Sequence, residues 1–200
     1  TSKKNSDLYK NSDISLITPE VKEAGLDMIP TSSTINQLSI GDALAISTLK
    51  KKKINNLDFK KFHPSGSLGE KLKTAEDLML KKDKIPFIDE NKSMTKALRI
   101  MTEKKLGTLI VRNKRKYTTG IITDGQIRRF NSKNIDLNSL KVKDVMTKNP
   151  IKIDKNVLAT KALALMNEKK ITSLCVYEKK KRFITIGILH IHNILNKKIY

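Results

Sequence analysis

The sequence predicts an α/β (α+β) protein made of two copies of one β-α-β-β-α unit, preceded by an incomplete portion of a different α/β domain. Three observations carry this. The run from Gly120 to Ile127 is written a second time from Gly187 to Ile194. The openings Asp77-Leu-Met79 and Asp144-Val-Met146 match at an offset of 67 residues. Between these marks, Thr95-Lys-Ala-Leu98 and Glu103-Lys-Lys105 recur as Thr160-Lys-Ala-Leu163 and Glu168-Lys-Lys170, now 65 residues apart. A period of about sixty residues is the length of a supersecondary repeat. Two residues lost before a helix and regained in a hairpin are what length changes in loops produce. The boundaries that follow are residues 1–73 for the incomplete portion, 74–135 for the first repeat and 136–200 for the second.

In chain order, Ser2 to Ser6 reads as a loop, and Asp13 to Ile17 alternates weakly enough to be one short strand. The hydroxyl residues Thr31 to Thr34 after Pro30 are expected to cap a helix running to about Lys50, with Leu38, Ala45, Ile46 and Leu49 as its apolar set. Lys50 to Lys53 then complement the negative end of the helix dipole. One strand, one helix and a loop cannot close a two-layer domain around a core. The segment is therefore expected to be the end of a larger domain. Pro64, Gly66 and Gly69 break regular structure and place His63 at the rim of a loop.

In the first repeat, Ile85 to Ile88 forms a brief strand, and Asn91 or Ser93 caps a helix with Met94, Ala97, Leu98 and Met101 on its buried stripe. Thr108 to Val111 and Thr118 to Thr123 make a hairpin around the basic tip Asn113 to Lys116, and a last helix starts near Asp124. The second repeat follows with Pro150 to Ile153, a helix carrying Ala162, Leu163 and Met166, strands Ser173 to Tyr177 and Phe183 to Leu189, and a terminal helix. Met101 and Met166 are read as core residues at equivalent sites. Neither repeat has a core large enough to stand alone, so the two are expected to pack as a pseudo-twofold pair.

Composition bounds the function. The chain has 200 residues, of which 38% are hydrophobic and 4% aromatic with no Trp, which argues against a large base-stacking surface. The formal charge of +21 invites a nucleic-acid reading. The lysines are spread along the whole chain, however, so nucleic acid is not the expected partner. The single cysteine, Cys175, lies in a strand of the second repeat and is read as a small core hydrophobe. It leaves no internal disulfide framework, which fits a reducing cytoplasm. No apolar run reaches the ~18 residues of a membrane span, no signal peptide opens the chain, and no cluster has metal-ligand spacing.

The duplicated architecture and both Gly-x-x-(Thr/His) strand ends resemble a tandem pair of CBS domains from Thr74 to about Lys198. Upstream, Pro30 to Thr34, then Gly41 to Ala45, then His63 to Gly69 resemble the end of a SIS (sugar isomerase) domain. That order followed by a CBS pair is similar to the arabinose-5-phosphate isomerase family, which feeds Kdo (lipopolysaccharide) and capsule synthesis. The resemblance implies interconversion of ribulose 5-phosphate and arabinose 5-phosphate through an enediol. It needs a phosphate anchor, a carboxylate base and an acid–base group, with no metal or redox cofactor. It makes His63 the catalytic candidate and lets Thr31, Ser32, Ser33 and Thr34 line a sugar-phosphate pocket at a helix N-terminus. Phe62 and Ser65 stand where the family usually has Ser and Gly, and Ser65 would be strained if that position needed a positive φ. The family's phosphate cradle and its catalytic Glu and Lys are expected before Thr1, so this stretch alone should be inactive.

CBS pairs of this kind often bind adenine nucleotides between the repeats through a strand-end hydroxyl and an Asp three residues on. The matching positions here are Thr123 with Gln126, and His190 with Asn193. The implied partners are a sugar phosphate for the whole enzyme, a nucleotide or sugar nucleotide at the repeats, and a second copy in a dimer or tetramer, in the cytoplasm. The alternative is a stand-alone sensor or oligomerisation module. His190 and His192, two residues apart, are read as facing opposite ways or straddling a turn, and not as a metal pair.

Overall fold

The computed structural model describes residues 1–133 and 135–199. It divides into two compact units, Thr1–Asn55 and Asn56–Tyr200, each considered by itself. The first unit holds helices α1 (Asp7–Lys10) and α2 (Ser32–Lys51). The strand expected at Asp13 to Ile17 does not form, and that stretch is a bend at Asp13 and Ile14 followed by irregular chain. Helix α2 takes the predicted span, but no residue of the unit is buried. Ile35, Leu38, Leu44 and Ile46 along it are all more than half exposed. An apolar stripe left open in this way is what a helix shows when the layer it packs against lies elsewhere.

The second unit opens with α3 (Asn56–Phe62) and α4 (Gly66–Lys71) and continues into the repeats. The expectation of a loop here is corrected in part, because Gly66 to Lys71 is helical. Ser65 is extended at φ −139°, so it carries no strain, and the left-handed position falls on Gly66 at φ +74°. The first repeat then runs α5 (Ala75–Leu78), β1 (Leu80–Lys81), β2 (Phe87–Asp89), α6 (Met94–Lys104), β3 (Thr108–Arg112), β4 (Thr118–Thr123) and α7 (Asp124–Asn131). The second runs α8 (Val142–Val145), β5 (Thr147–Lys148), β6 (Lys152–Asp154), α9 (Ala159–Lys169), β7 (Ser173–Tyr177), β8 (Gly187–His190) and α10 (Ile191–Leu195).

The strand pairing is crossed. One sheet has the order β2-β3-β4-β5 and the other β1-β8-β7-β6, so the opening strand of each repeat closes the sheet of the other. Leu80 pairs with Ile188, and Ile121 with Thr147, both antiparallel. The short helix before each opening strand crosses with it. The Ala75 N–H donates to the Val157 carbonyl (2.8 Å), and the Val142 N–H to the Lys92 carbonyl (2.9 Å). Ala75, Leu78 and Met79 are thus buried with Ile153, Ala162, Met166 and Leu189 of the second repeat. Val142 and Val145 join Ile88, Met94, Met101 and Ile122 of the first, with Met146 packed against them.

The crossing sorts the two offsets, whose difference itself lies in the connecting loops. Residues 67 apart belong to the exchanged openings and the strands that receive them, and residues 65 apart belong to the helix and the strand after it. It also explains the twice-written glycine. A Cβ on Gly120 would stand 2.5 Å from the Met146 sulfur, and one on Gly187 would overlap the Met79 sulfur and crowd the Leu80 carbonyl. Each Asp-x-Met motif therefore seats its Met on the glycine of the opposite Gly-x-x-(Thr/His) motif. Between the sheets lie Ile110, Cys175 and Ile188, with Ile121 against them. Equivalent residues meet on the pseudo-twofold axis: Thr108 with Ser173 (3.3 Å) and Thr118 with Thr185 (2.7 Å). Burial pushes the Cys175 thiol up to about 11, partly offset by its hydrogen bond with Thr185, so it is a core side chain as expected.

At the first crossing, Asp77 accepts from the Thr74 N–H (2.7 Å) and hydroxyl (2.8 Å) and from Lys60 (2.5 Å). Burial raises its pKa, but these hydrogen bonds outweigh it and hold the carboxyl below its ordinary value. We expect Gly187→Ala to cost about 2 kcal/mol and Gly120→Ala about 1 kcal/mol in urea unfolding. The order follows because an added Cβ at Gly187 meets the buried Met79 and the Leu80 carbonyl, whereas one at Gly120 meets only the side chain of the partly exposed Met146. Equal effects would contradict the ranking, and no effect at either glycine would contradict the crossed packing.

Candidate functional site

A cleft of about 810 Å³ opens where the two strand ends meet their helices. Thr123 ends β4 and is the N-cap of α7, and His190 ends β8 and is the N-cap of α10. The walls are apolar at Leu106, Ile121, Pro150, Ile151 and Ile171, and the rim carries Lys105, Lys170, Arg128 and Arg129 against the single carboxylate of Asp124. Among the described residues none of these four cations is ion-paired. An apolar slot of this size with unpaired cations at its mouth suits a phosphorylated ligand with a flat or apolar body.

The structure brings Thr123, Gln126 and His190 into this cleft, while Asn193 is not among its lining residues. Gln126 is buried and engaged at both ends. Its Oε1 accepts from the Thr123 N–H (2.8 Å), and its Nε2 donates to the Thr147 hydroxyl (2.5 Å) and lies 3.4 Å from the Val145 carbonyl. It pins the exchanged opening of the second repeat to the α7 N-cap. Asn193 does the corresponding work at α10, accepting from the His190 N–H (3.0 Å). The His190 ring accepts from the His192 N–H (3.3 Å), and the two rings lie 5.1 Å apart across the turn. Desolvation and, after it, the nearby His192 hold His190 below its ordinary pKa. Among the described residues no group of three His, Cys, Asp or Glu is placed to hold a metal.

Lys105 and Lys170 were visible in the sequence only as copies of one another. Each follows its helix as C-cap with a left-handed backbone, at φ 53° and 52°. Gly or Asn ordinarily takes that position. A long side chain there is held at a cost and aimed at the cleft from both repeats.

The other expected residues lie outside this cleft. Thr31 is the N-cap of α2, but its hydroxyl does not cap the helix. The Glu23 carboxylate instead accepts from the Thr31 N–H (2.7 Å), the Thr31 hydroxyl (3.0 Å) and the Ser33 N–H (3.2 Å). The Ser33 hydroxyl first, then the Thr31 N–H, pull that carboxyl down from 4.5 to about 2. A carboxylate thus occupies the helix N-terminus that the sequence reading assigned to phosphate. Ser32 is half-buried beside it and Thr34 is exposed. His63 belongs to the other unit, directly after α3, where its ring stacks on Phe59 at 4.3 Å and its Nδ1 lies 3.3 Å from the Phe59 carbonyl. Gly69 packs under it so closely that a Cβ would stand 2.8 Å from the His63 carbonyl. The motif from His63 to Gly69 is therefore a tight backbone turn that presents one imidazole.

Comparison with known proteins gives the family. The sequence model of the CBS domain matches residues 75–133 and 142–199, more than half of the chain. The chain belongs to the CBS domain family. An uncharacterized protein of Rickettsia prowazekii is 39% identical over 98% of this chain and 60% of its own length. Arabinose 5-phosphate isomerase KdsD of Escherichia coli K12 is 36% identical over 98% of this chain and 59% of its own length. The chain thus spans about three-fifths of the curated relatives it matches. The crystal structure of CBSX2 in complex with AMP aligns with TM-score 0.55 at 24% identity, covering 62% of this chain and 95% of that one. It supports the CBS-pair fold. Among the described residues no helix is long and apolar enough to cross a membrane.

In this CBS pair the left-handed lysines separate stability from binding. Lys105→Gly with Lys170→Gly should raise unfolding stability by about 1 kcal/mol through relief of backbone strain. The same change should weaken retention of a phosphate-bearing probe in the cleft by about tenfold through loss of two cations. Calorimetric unfolding and titration on one variant read both, and a fall in stability would show that the lysines are not strained.

Proposed function

We propose that this chain is the carboxy-terminal part of an arabinose-5-phosphate isomerase that serves Kdo (lipopolysaccharide) or capsule synthesis in the cytoplasm. In this reading the end of a sugar-isomerase domain leads into a CBS pair that regulates or oligomerises the enzyme. The observation that carries it is coverage. The CBSX2 structure accounts for 62% of the chain, whereas the similarity to the isomerase runs over 98% of it and takes in the first segment with its His63 motif.

The open apolar face of α2 supports the same reading, since a helix from the end of a layered domain needs the remainder of that domain to cover it. In the assembled enzyme His63 acts as the acid–base group near the substrate. An imidazole ring can both donate and accept a proton, which ring opening requires. Thr31, Ser32, Ser33 and Thr34 contribute hydroxyls and amides toward the sugar phosphate, in the place that Glu23 holds here. The CBS cleft takes a nucleotide or sugar nucleotide through Lys105, Lys170, Arg128 and Arg129, with Thr123 and His190 at its ends. Gln126 and Asn193, engaged with the backbone, shape the caps in this reading, so neither takes the ribose diol and affinity rests on phosphate.

The second reading, a stand-alone nucleotide sensor, draws on the cationic cleft. One set of measurements separates the two. The chain by itself should show no conversion of arabinose 5-phosphate, and the whole enzyme carrying His63→Ala should lose about 100-fold in kcat. Unchanged turnover in that variant would overturn the role of His63. Micromolar AMP binding by the chain, with no isomerase activity in the complete protein, would favour the sensor.

A further inference from the structure

A second hollow, of about 310 Å³, lies on the first repeat away from the cleft between the repeats. Its apolar base is Phe87, Ile88 and Ile100, and its cations are Lys92, Lys96, Arg112, Lys114 and Lys116. Three local devices build it. Lys96 and Ile100 are spaced by four on one face of α6, and Lys92 joins them from the bend just before its N-cap Ser93. The ladder between β3 and β4 shifts register between Val111 and Arg112, a bulge that re-aims the side chain at that point. Arg112 then lies over the Phe87 ring at 4.4 Å, which fixes the plane of its guanidinium. Finally, Asn113 Oδ1 accepts from both the Arg115 and Tyr117 N–H groups (3.0 Å each), setting the turn that carries Lys114 and Lys116.

The charge is unbalanced. Asp89 is the only carboxylate in the lining, and its Oδ1 already accepts from the Asn91 N–H (2.9 Å). Among the described residues none of the five cations has an ion-pair partner. A chain this rich in lysine could collect cations anywhere, but the second repeat supplies an internal control. There the places of Lys92, Arg112 and Asn113 are taken by Val157, Tyr177 and Glu178. Glu178 moreover pairs with Lys155 at 3.2 Å. Lys161, Lys179 and Lys181 stand at the places of Lys96, Lys114 and Lys116, so what sets the first copy apart is Lys92, the Arg112 guanidinium and the lack of an acid at the place of Glu178.

We propose that this hollow is a binding site for the diphosphate group of a small molecule. Five cations against one engaged carboxylate leave several charges uncompensated by a single phosphate, whereas two linked phosphates match them. The planar Arg112 is suited to bidentate contact with a phosphate, and the lysines act as mobile point charges around it. The apolar base accommodates whatever the diphosphate is attached to.

The test uses the whole chain and inorganic pyrophosphate as probe, by titration calorimetry at low ionic strength. Pyrophosphate should bind once per chain and at least about tenfold more tightly than orthophosphate. Arg112→Gln with Lys96→Gln should weaken it by about tenfold or more. Arg112→Lys should fall between, because it keeps charge and loses the planar fork. The charge-matched control Lys3→Gln with Lys4→Gln should change it by less than about twofold. Hydrogen exchange in the presence of pyrophosphate should protect residues 87–100 and 112–117. Absence of binding, an equal loss in the control pair, or protection confined to residues 105–107 and 123–129 would each overturn the proposal. These outcomes do not depend on isomerase activity and leave the reading of the whole enzyme untouched.

Discussion

The contact between a methionine at the start of one repeat and a glycine near the end of the other recurs twice and sets everything around it. Met79 lies on Gly187 and Met146 on Gly120, and a single methyl group at either glycine would collide with the sulfur above it. Because of this seat, the short opening strands β1 and β5 can lie flat on the edge of the opposite sheet. Each sheet therefore has four strands only when both repeats are present. Burying Leu78 and Met79 in the second core, and Val142 and Val145 in the first, adds roughly 1.5–3 kcal/mol for each large side chain. The repeats are consequently one cooperative body, and a disturbance of either opening segment is felt in the core of the other.

The same crossing makes the cleft. Thr147 and the Pro150 and Ile151 that follow it belong to the second repeat but form a wall beside Thr123 of the first. Gln126 is the bolt, holding Thr123 through its oxygen and the crossing segment through its nitrogen. A side chain that matches a ligand-binding position by its place in a motif is here committed to holding two pieces of backbone together. The charge that remains for a ligand sits on Lys105, Lys170, Arg128 and Arg129, which project from helix ends and are not drawn into ion pairs. The high net charge is thus neither uniform nor all alike. At the cleft Lys105 and Lys170 are repeat equivalents, while Arg128 and Arg129 correspond to Leu195 and Asn196, and in the hollow Lys92 and Arg112 are the cations that the second repeat lacks.

The first unit obeys a different logic. Its long helix has good local signals, and its N-terminus is satisfied by Glu23, yet it buries nothing. Local hydrogen bonding can define such a helix, whereas its stability in a folded protein comes from covering an apolar face. The stretch expected as a strand at Asp13 to Ile17 fails for the related reason that a strand needs a neighbour to pair with, and the described residues supply none. In the motif beginning at His63 the glycines, and not Ser65, absorb the demanding geometry, so the departure from the family pattern at that position is harmless to the backbone.

Periodicity and repetition in the sequence alone determined the helices α2, α6 and α9, the central strands β3, β4 and β7, the buried methionines, the core cysteine and the duplicated plan. All of these depend on residues close in the chain or on a pattern that announces itself twice. Strands β1 and β5 were not legible, because two residues carry no period and become strands only by meeting the edge strand of the other repeat. Nor could the sequence tell that the motifs 67 apart touch one another crosswise, or that Gln126 faces the backbone. Left-handed lysines at the cleft and the basic hollow around Arg112 were equally hidden. Those facts were decided by tertiary structure, since which side chains share a surface depends on how the two halves exchange their ends, and no local rule encodes that exchange.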